Sequence, residues 1–293
     1  MKELYGLGTA LTTPFTEDNR VDFPALRKHL DYLNKEGIDY YVVNGTTGES
    51  ATLRKEESAE ILEYVKQYNG GKRPIVFGIG GNNTQAVLDT IAQTDFNGVT
   101  ALLSVCPYYN KPSQRGIYLH FKAIADASPV PVILYNVPGR TVISMSVETI
   151  AELAAHPNII GLKDASSSIE VAIDLSRTLP EDFLLLSGDD NLFTAQASLG
   201  YKGVISVIGN GFPKEFYELV QSALAGDFEK AKRLQGKFLD FDTLLYVESN
   251  PVGIKCVLDI KGIYDGRVRL PLAKASDELY QKMEASMRKE GFL

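Results

Sequence analysis

A lysine stands near the end of an otherwise apolar stretch, in the segment NIIGLKD (158–164). The apolar residues predict a buried strand, and Lys163 follows them. A lysine in such a place usually lifts its ammonium into water while its aliphatic stem packs on apolar surface. The competing interpretation is a lysine that forms an imine with a carbonyl substrate, which requires an amine freed from water. The segment alone does not decide between them.

The composition limits the classes of partner. A chain of 293 residues, 44% of them hydrophobic, can bury a large core. Its formal net charge of -7, with no local cluster of Lys and Arg, argues against a nucleic-acid partner. No apolar run approaches the ~20 residues needed to cross a bilayer, and the start MKELYGLG lacks the layout of a signal peptide. We expect a cytoplasmic protein without a membrane partner, acting on a small molecule.

Cysteines and histidines offer little support for metal or triad chemistry. Cys106 and Cys256 lie far apart and predict neither a disulfide framework nor a CxxC motif, and Cys106 is interpreted as a small core residue. The three histidines, His29, His120 and His156, fall in presumed outer helices, where we expect them to be solvated. No metal site and no Ser-His-Asp triad is therefore predicted.

Short apolar runs bounded by Gly, Pro or Asn predict eight strands. The runs are nearly continuous rather than alternating, as expected when helices cover a parallel sheet. Segments of helical period lie between them, such as 22–37, where Asp22 and Gly37 suit the two caps, and 146–156, where Ser146 suits the N-cap. The predicted strands are residues 7–12, 40–44, 74–79, 99–105, 131–137, 159–163, 183–187 and 203–208.

This alternation predicts an α/β fold, a (β/α)8 TIM barrel with a C-terminal helical appendage. Barrels run to about 250 residues with such regular alternation. An open doubly wound sheet is the alternative, although no GxGxxG follows the first strand. We expect a catalytic barrel domain over 1–225 and a helical subdomain of three amphipathic helices over 226–293, docked together because no flexible linker separates them.

In a barrel, chemistry sits at the C-terminal ends of the strands. Those ends carry one lysine among hydroxyl groups, an arginine and no cofactor motif, which suits carbonyl chemistry: a neutral lysine attacks a ketone, and the resulting enamine attacks an aldehyde. Turn, cap and packing roles explain many of the same residues equally well. The candidates are Thr12, Thr13, Thr46, Thr47, Asn82, Tyr108, Tyr109, Tyr135, Arg140, Lys163, Gly188, Asp189, Asp190, Ser206 and Asn210.

Five segments taken in order resemble the signatures of one family. GTTGES, PYYNKPSQ, YNVPGRT, IIGLKD and LLSGDD are similar to those of the 4-hydroxy-tetrahydrodipicolinate synthases (dihydrodipicolinate synthases). That family belongs to the pyruvate-dependent class I aldolase superfamily, which also holds N-acetylneuraminate lyase. The resemblance runs from about residue 7 to the end. It implies a lyase that condenses pyruvate with L-aspartate 4-semialdehyde in lysine and diaminopimelate biosynthesis, without a cofactor.

The resemblance also implies the catalytic residues. Lys163 would form the Schiff base with pyruvate, and Tyr135 would shuttle protons beside it. Thr46 would link Tyr135 to Tyr109 in a hydroxyl relay. Tyr109 would enter from the neighbouring subunit of a tight dimer, and two such dimers would form a homotetramer.

Three further residues are implied to bind the substrates. Thr47, with its backbone N–H, would hold the pyruvate carboxylate, and the Ile205 carbonyl would line the same pocket. Arg140 would bind the carboxylate of the semialdehyde, because a guanidinium pairs bidentately with a carboxylate. Arg140 favours a synthase over the sialic acid lyases, which have a small or apolar segment there. Aldolases of N-acetylneuraminate or 2-keto-3-deoxy sugar acids are the alternative, and a non-catalytic small-molecule sensor is a more remote one.

Lysine-sensitive members of the family bind L-lysine at the dimer interface. Two positions of this chain depart from the sensitive pattern: Ala86 stands where those enzymes carry a glutamate, and Lys55 stands where a histidine often lies. The positions that match are Ser50, Ala51, Asn82 and Tyr108.

We predict weak or absent inhibition by L-lysine. Ala86 offers no carboxylate to the ammonium of the inhibitor, and Lys55 adds a like charge. A steady-state assay of the purified enzyme with increasing L-lysine checks this. Strong inhibition at low lysine concentration would contradict the prediction.

Overall fold

The fold is a closed barrel of eight parallel strands. The structure, a computed structural model, describes residues 1–293. The strands follow one another in chain order, and the first pairs with the last, with Gly6 opposite Gly203. The predicted (β/α)8 barrel is confirmed. The strands are β1 (Gly6–Ala10), β2 (Tyr40–Val43), β3 (Ile75–Gly78), β4 (Ala101–Val105), β5 (Val132–Asn136), β6 (Ile159–Asp164), β7 (Leu184–Ser187) and β8 (Gly203–Ser206).

Two apolar layers explain why the strands read as continuous apolar runs. Alternate side chains of each strand fill the barrel interior, where Tyr40, Val76, Leu103 and Ile133 are buried together. The other side chains pack outward against the helices. Both faces of the sheet are therefore buried, and neither face selects polar residues.

Helices follow the strands and cover the barrel. The predicted caps are confirmed: the Asp22 side chain accepts a hydrogen bond from Ala25 N at 2.9 Å, and Ser146 accepts one from Thr149 N at 3.2 Å. The helices around the barrel are α1 (Phe23–Glu36), α2 (Lys55–Asn69), α3 (Thr84–Gln93), α4 (Gln114–Ala127), α5 (Pro138–Thr141), α6 (Val147–Ala154), α7 (Ile169–Thr178), α8 (Phe193–Ser198) and α9 (Pro213–Leu224).

Three more helices complete the chain, as the helical period predicts: α10 (Phe228–Tyr246), α11 (Val252–Ile260) and α12 (Asp277–Lys289). Aromatic rings join them to the barrel. The ring centroids of Phe212 and Phe241 lie 4.8 Å apart. Since this packing crosses residue 225, a division into domains there stays a prediction.

The prediction that all three histidines are solvated is wrong for His29 and His120, which are buried. The His29 ring nitrogens lie 3.4 Å from Thr12 Oγ1 and 3.2 Å from the Asn210 carbonyl oxygen. Burial lowers the pKa of both histidines to about 4, so they are neutral at pH 7. The helical period itself indicates the error, because residue 29 lies beside the inward-facing Leu26.

The two cysteines, which could be reactive, are structural residues. Cys106 and Cys256 are free and buried, and burial raises the pKa of each thiol to about 12. The prediction that Cys106 is a core residue is confirmed. His, Cys, Asp and Glu side chains form no group of three that could hold a metal ion. No helix combines the length and apolar composition needed to cross a membrane.

A matched pair of glycines tests the packing of α11 on α10. A Cβ added at Gly253 would lie 2.4 Å from the Leu245 carbonyl oxygen, whereas one added at Gly236 meets nothing within 4 Å. We expect Gly253→Ala to lower the free energy of unfolding by about 1–3 kcal/mol. Gly236→Ala should raise it by about 0.5–1 kcal/mol through helix propensity. Thermal melts of both variants check this, and a Gly253→Ala melting point at or above that of the wild type would contradict the close packing.

Candidate active site

Lys163 lies at the C-terminal end of β6 and is 7% exposed. The parallel register places it beside Tyr135 of β5, and its Nζ lies 4.3 Å from the centroid of the Tyr135 ring. Gly188, just after β7, leaves room for the lysine chain, since a Cβ there would lie 3.0 Å from Lys163 Cε. The structure therefore brings two of the predicted catalytic groups into contact.

A cavity of about 890 Å³ opens beside this pair, at the C-terminal ends of β2 to β5. Its lining includes three of the residues predicted to act in catalysis or substrate binding: Thr46, Tyr135 and Arg140. The others predicted to contact pyruvate are buried and are not part of the lining: Thr47, Lys163 and Ile205. Thr46, Tyr135 and Arg140 thus share one cavity, and Lys163 lies against the Tyr135 ring.

The turn after β2 carries the two threonines. Residues 46–48 form one turn of 3-10 helix, closed by Gly48 N donating to the Gly45 carbonyl at 3.1 Å. The Thr13 hydroxyl donates to the Gly48 carbonyl at 2.7 Å, which ties the turn to the end of β1. A tight turn of this kind aims backbone N–H groups at one side, where they can bind a carboxylate.

Asn250 is a residue that sequence reasoning missed. It is buried just before α11, where its Nδ2 donates to Thr47 Oγ1 at 3.1 Å and its carbonyl accepts from Arg140 Nη2 at 3.3 Å. One residue thus connects the two groups predicted to bind carboxylates. No local signal points to it, because the segment ESNP reads as an ordinary loop.

Tyr109 is not brought to the other predicted relay residues within this chain. Its side chain is 86% exposed, it lies outside the cavity lining, and its φ of 74° is in the left-handed region. Asn110 fixes the loop by donating from Nδ2 to the Asn82 carbonyl at 2.9 Å. An exposed aromatic ring on a defined, strained backbone is a feature of a contact surface, and the relay role of Tyr109 stays a prediction.

The predicted lysine-binding positions lie along the same cavity, which continues into the groove between α2 and α3. The lining there also includes Lys55 and Ala86, the two positions that depart from the sensitive pattern. The matching positions in the lining are Ser50, Ala51, Asn82 and Tyr108.

Several other candidate residues at the strand ends stabilise the C-terminal end of the barrel and do not line the cavity. Asn210 Nδ2 donates to the Ala10 carbonyl at 2.8 Å, and Asn210 Oδ1 accepts from Thr12 N at 3.3 Å. Asp190 Oδ2 accepts from Val207 N and Ile208 N, at 2.9 and 2.8 Å. Burial raises the pKa of Asp190 to about 6. These contacts agree with a structural role for Thr12, Asp190 and Asn210.

Lys255 is a second buried lysine and a rival to Lys163 as nucleophile. Burial lowers the pKa of Lys255, and the Glu49 carboxylate opposes that shift. However, its Nζ donates to Glu49 Oε1 at 2.5 Å and to the Arg267 carbonyl at 2.7 Å. The Lys163 amine has no hydrogen-bond partner and lies against a cavity-lining ring, so it is the better placed of the two.

The fold and the cavity at the strand ends place the chain among the (β/α)8-barrel enzymes. A family profile described as the dihydrodipicolinate synthetase family matches residues 3–290. The chain belongs to this family.

Similar proteins cover nearly the whole chain. The 4-hydroxy-tetrahydrodipicolinate synthase of Cytophaga hutchinsonii is 48% identical over 97% of this chain and 96% of its own. The crystal structure of dihydrodipicolinate synthase from Aquifex aeolicus matches with a TM-score of 0.94 and 37% identity over 98% of both chains. The chloride-inhibited dihydrodipicolinate synthase from Acinetobacter baumannii, complexed with pyruvate, matches with a TM-score of 0.96 and 36% identity over 99% of this chain and 100% of that one.

Proposed function

We propose that this enzyme condenses pyruvate with L-aspartate 4-semialdehyde to 4-hydroxy-tetrahydrodipicolinate, the branch-point step of lysine and diaminopimelate biosynthesis. The observation that carries the proposal is the buried Lys163 amine against the Tyr135 ring, beside a cavity that Arg140 also lines. Membership of the family and the names of the relatives support the same reaction.

In the first step the Lys163 amine attacks the pyruvate ketone, and loss of water gives the imine. The turn over Thr46 and Thr47 offers backbone N–H groups to the pyruvate carboxylate, and the Ile205 carbonyl completes the pocket. The Tyr135 ring lies 4.3 Å from the Lys163 amine, centroid to Nζ, and its hydroxyl would pass protons to and from the carbinol.

In the second step the protonated imine accepts electrons from the adjacent methyl group, which loses a proton to form an enamine. The enamine carbon attacks the aldehyde carbon of the semialdehyde while Arg140 holds its carboxylate. The amino group of the bound semialdehyde then attacks the imine carbon, closes the ring and releases Lys163. Because the imine supplies the electron sink, the reaction needs no separate cofactor.

We also propose the assembly and location that this function implies. Tyr109, exposed on a defined loop, would enter the site of a neighbouring subunit and join Thr46 and Tyr135 in the proton relay. A tight dimer would then be the smallest complete unit, and two dimers would form a homotetramer. The enzyme would act in the cytoplasm on small molecules, without nucleic-acid or membrane partners.

Borohydride reduction in the presence of pyruvate tests the proposal. We expect a mass increase on Lys163, located by peptide mapping, together with turnover of L-aspartate 4-semialdehyde. Lys255 is the internal control, because it is buried but held by Glu49. Lys163→Ala should abolish the adduct. An adduct without turnover would redirect the search to sugar-acid substrates, and no adduct would overturn the aldolase mechanism.

The proton relay is tested by Tyr109→Phe. Loss of the hydroxyl should lower kcat by about 100-fold, the lower limit of the range for positioned acid–base groups. Tyr280→Phe on α12 is the matched control, since the Tyr280 hydroxyl has no hydrogen-bond partner and should be dispensable. Equal kcat for Tyr109→Phe and the wild type would show that the relay is misassigned.

A further inference from the structure

A buried ion pair joins the turn after β2 to α11. The Lys255 ammonium and the Glu49 carboxylate lie 2.5 Å apart, with side-chain exposures of 0% and 1%. The two residues are separated by 206 positions in the sequence. Neither charge takes part in the chemistry proposed above, so the pair needs an explanation of its own.

Both charged groups have further partners. Glu49 Oε2 accepts from Arg269 N at 3.0 Å, so each carboxylate oxygen has its own donor. The Lys255 ammonium also donates to the Arg267 carbonyl and lies 4.3 Å from the centroid of the Phe15 ring. Each carboxylate oxygen thus has a donor, and the ammonium has two acceptors and an aromatic ring, so the pair sits in one defined geometry.

Stability alone is a weak reason for such a pair. A buried ion pair often contributes no more than apolar residues of the same volume, because both charges lose their water. An ion pair does fix the relative position of its two side chains, since one geometry satisfies all of their hydrogen bonds. The backbone of Glu49 has a φ of 57°, a left-handed conformation that a glutamate adopts only when its surroundings impose it.

Glu49 closes the turn that carries Thr46 and Thr47. Its backbone N–H donates to the Thr46 carbonyl at 3.0 Å, and its carbonyl accepts from Thr52 N at 2.9 Å. A rotation at Glu49 would therefore move the backbone N–H groups of the turn. The side chain that prevents this rotation is held by Lys255.

The same segment holds the turn at a second point. Asn250 lies five residues before Lys255 in the chain, and its Nδ2 donates to Thr47 Oγ1 at 3.1 Å. One end of the turn is thus fixed through a neutral hydrogen bond and the other through a charged one. Residues 250–255 therefore contact the turn at two points.

We propose that Asn250 and Lys255 are positioning residues, which hold the turn over Thr46–Glu49 in the conformation that binds the carboxylate of pyruvate. The inference rests on the proposed function of the turn and extends it to the C-terminal helical part of the chain. These helices belong to the substrate site, although they lie outside the barrel.

The test separates positioning from stability by neutralising both charges. Lys255→Met and Glu49→Gln alone each leave one buried charge without its partner, and both should lower the melting temperature. The double variant Glu49→Gln/Lys255→Met removes both charges while Gln keeps an acceptor for Arg269 N, so its melting temperature should recover. Its KM for pyruvate should stay raised by about tenfold, the order of one lost hydrogen bond, with kcat little changed.

Two single variants complete the experiment. Asn250→Ala removes the contact with Thr47 and keeps the backbone carbonyl that accepts from Arg140, and it should also raise the KM for pyruvate. Lys261→Met is the matched control, because Lys261 lies at the end of α11 against the rings of Phe212 and Tyr32 and does not reach the turn. It should leave the KM for pyruvate unchanged.

The outcomes are distinct. A double variant that melts like the wild type and has the wild-type KM for pyruvate would overturn the positioning role. If the double variant does not fold, a wild-type KM in Asn250→Ala overturns it instead. Failure of the wild type itself to form a reduced pyruvate adduct would defeat the proposed function, and this is visible before any variant is made.

Discussion

The proposed site depends on holding the Lys163 amine in a buried place against the Tyr135 ring. A strand of a closed barrel can do this, because its flanks are paired with neighbouring strands while its C-terminal end lies at the face where barrel active sites form. The β5–β6 register sets Lys163 beside Tyr135, and Gly188, just after β7, leaves space for the lysine chain. A shift of one residue in that register would turn the amine to the opposite face of the sheet.

A second requirement concerns the turn over Thr46 and Thr47, which lies on a loop and lacks the rigidity of a strand. Contacts from two separate parts of the chain compensate for this: Thr13, shortly after β1, and the segment 250–255, through Asn250 and Lys255. In the proposed positioning role of Asn250 and Lys255, the barrel and its helical appendage form one functional unit.

Much of the fold and of the candidate site could be predicted from the sequence. Most of the exceptions depend on contacts between residues that are far apart in the chain. Continuous apolar runs and capping residues predicted the barrel, because they depend on local chemistry, and Lys163 was conspicuous as a charge at the end of such a run. Asn250 and the Glu49–Lys255 pair could not be predicted, since each partner looks ordinary until folding brings together residues some 200 positions apart. His29 was misjudged by polarity although its place on the helix indicated burial, and the relay role of Tyr109 stays a prediction because its side chain is exposed in this chain.

The distance along the chain between Glu49 and Lys255 also sets the order of events during synthesis. At about 5–20 residues per second, a ribosome needs roughly 10–40 s to reach Lys255 after making Glu49. Arg269, whose N–H donates to the same carboxylate, appears later still. During that interval the loop after β2 lacks its far partners, so a nascent or prematurely ended polypeptide contains Lys163 before that loop is secured.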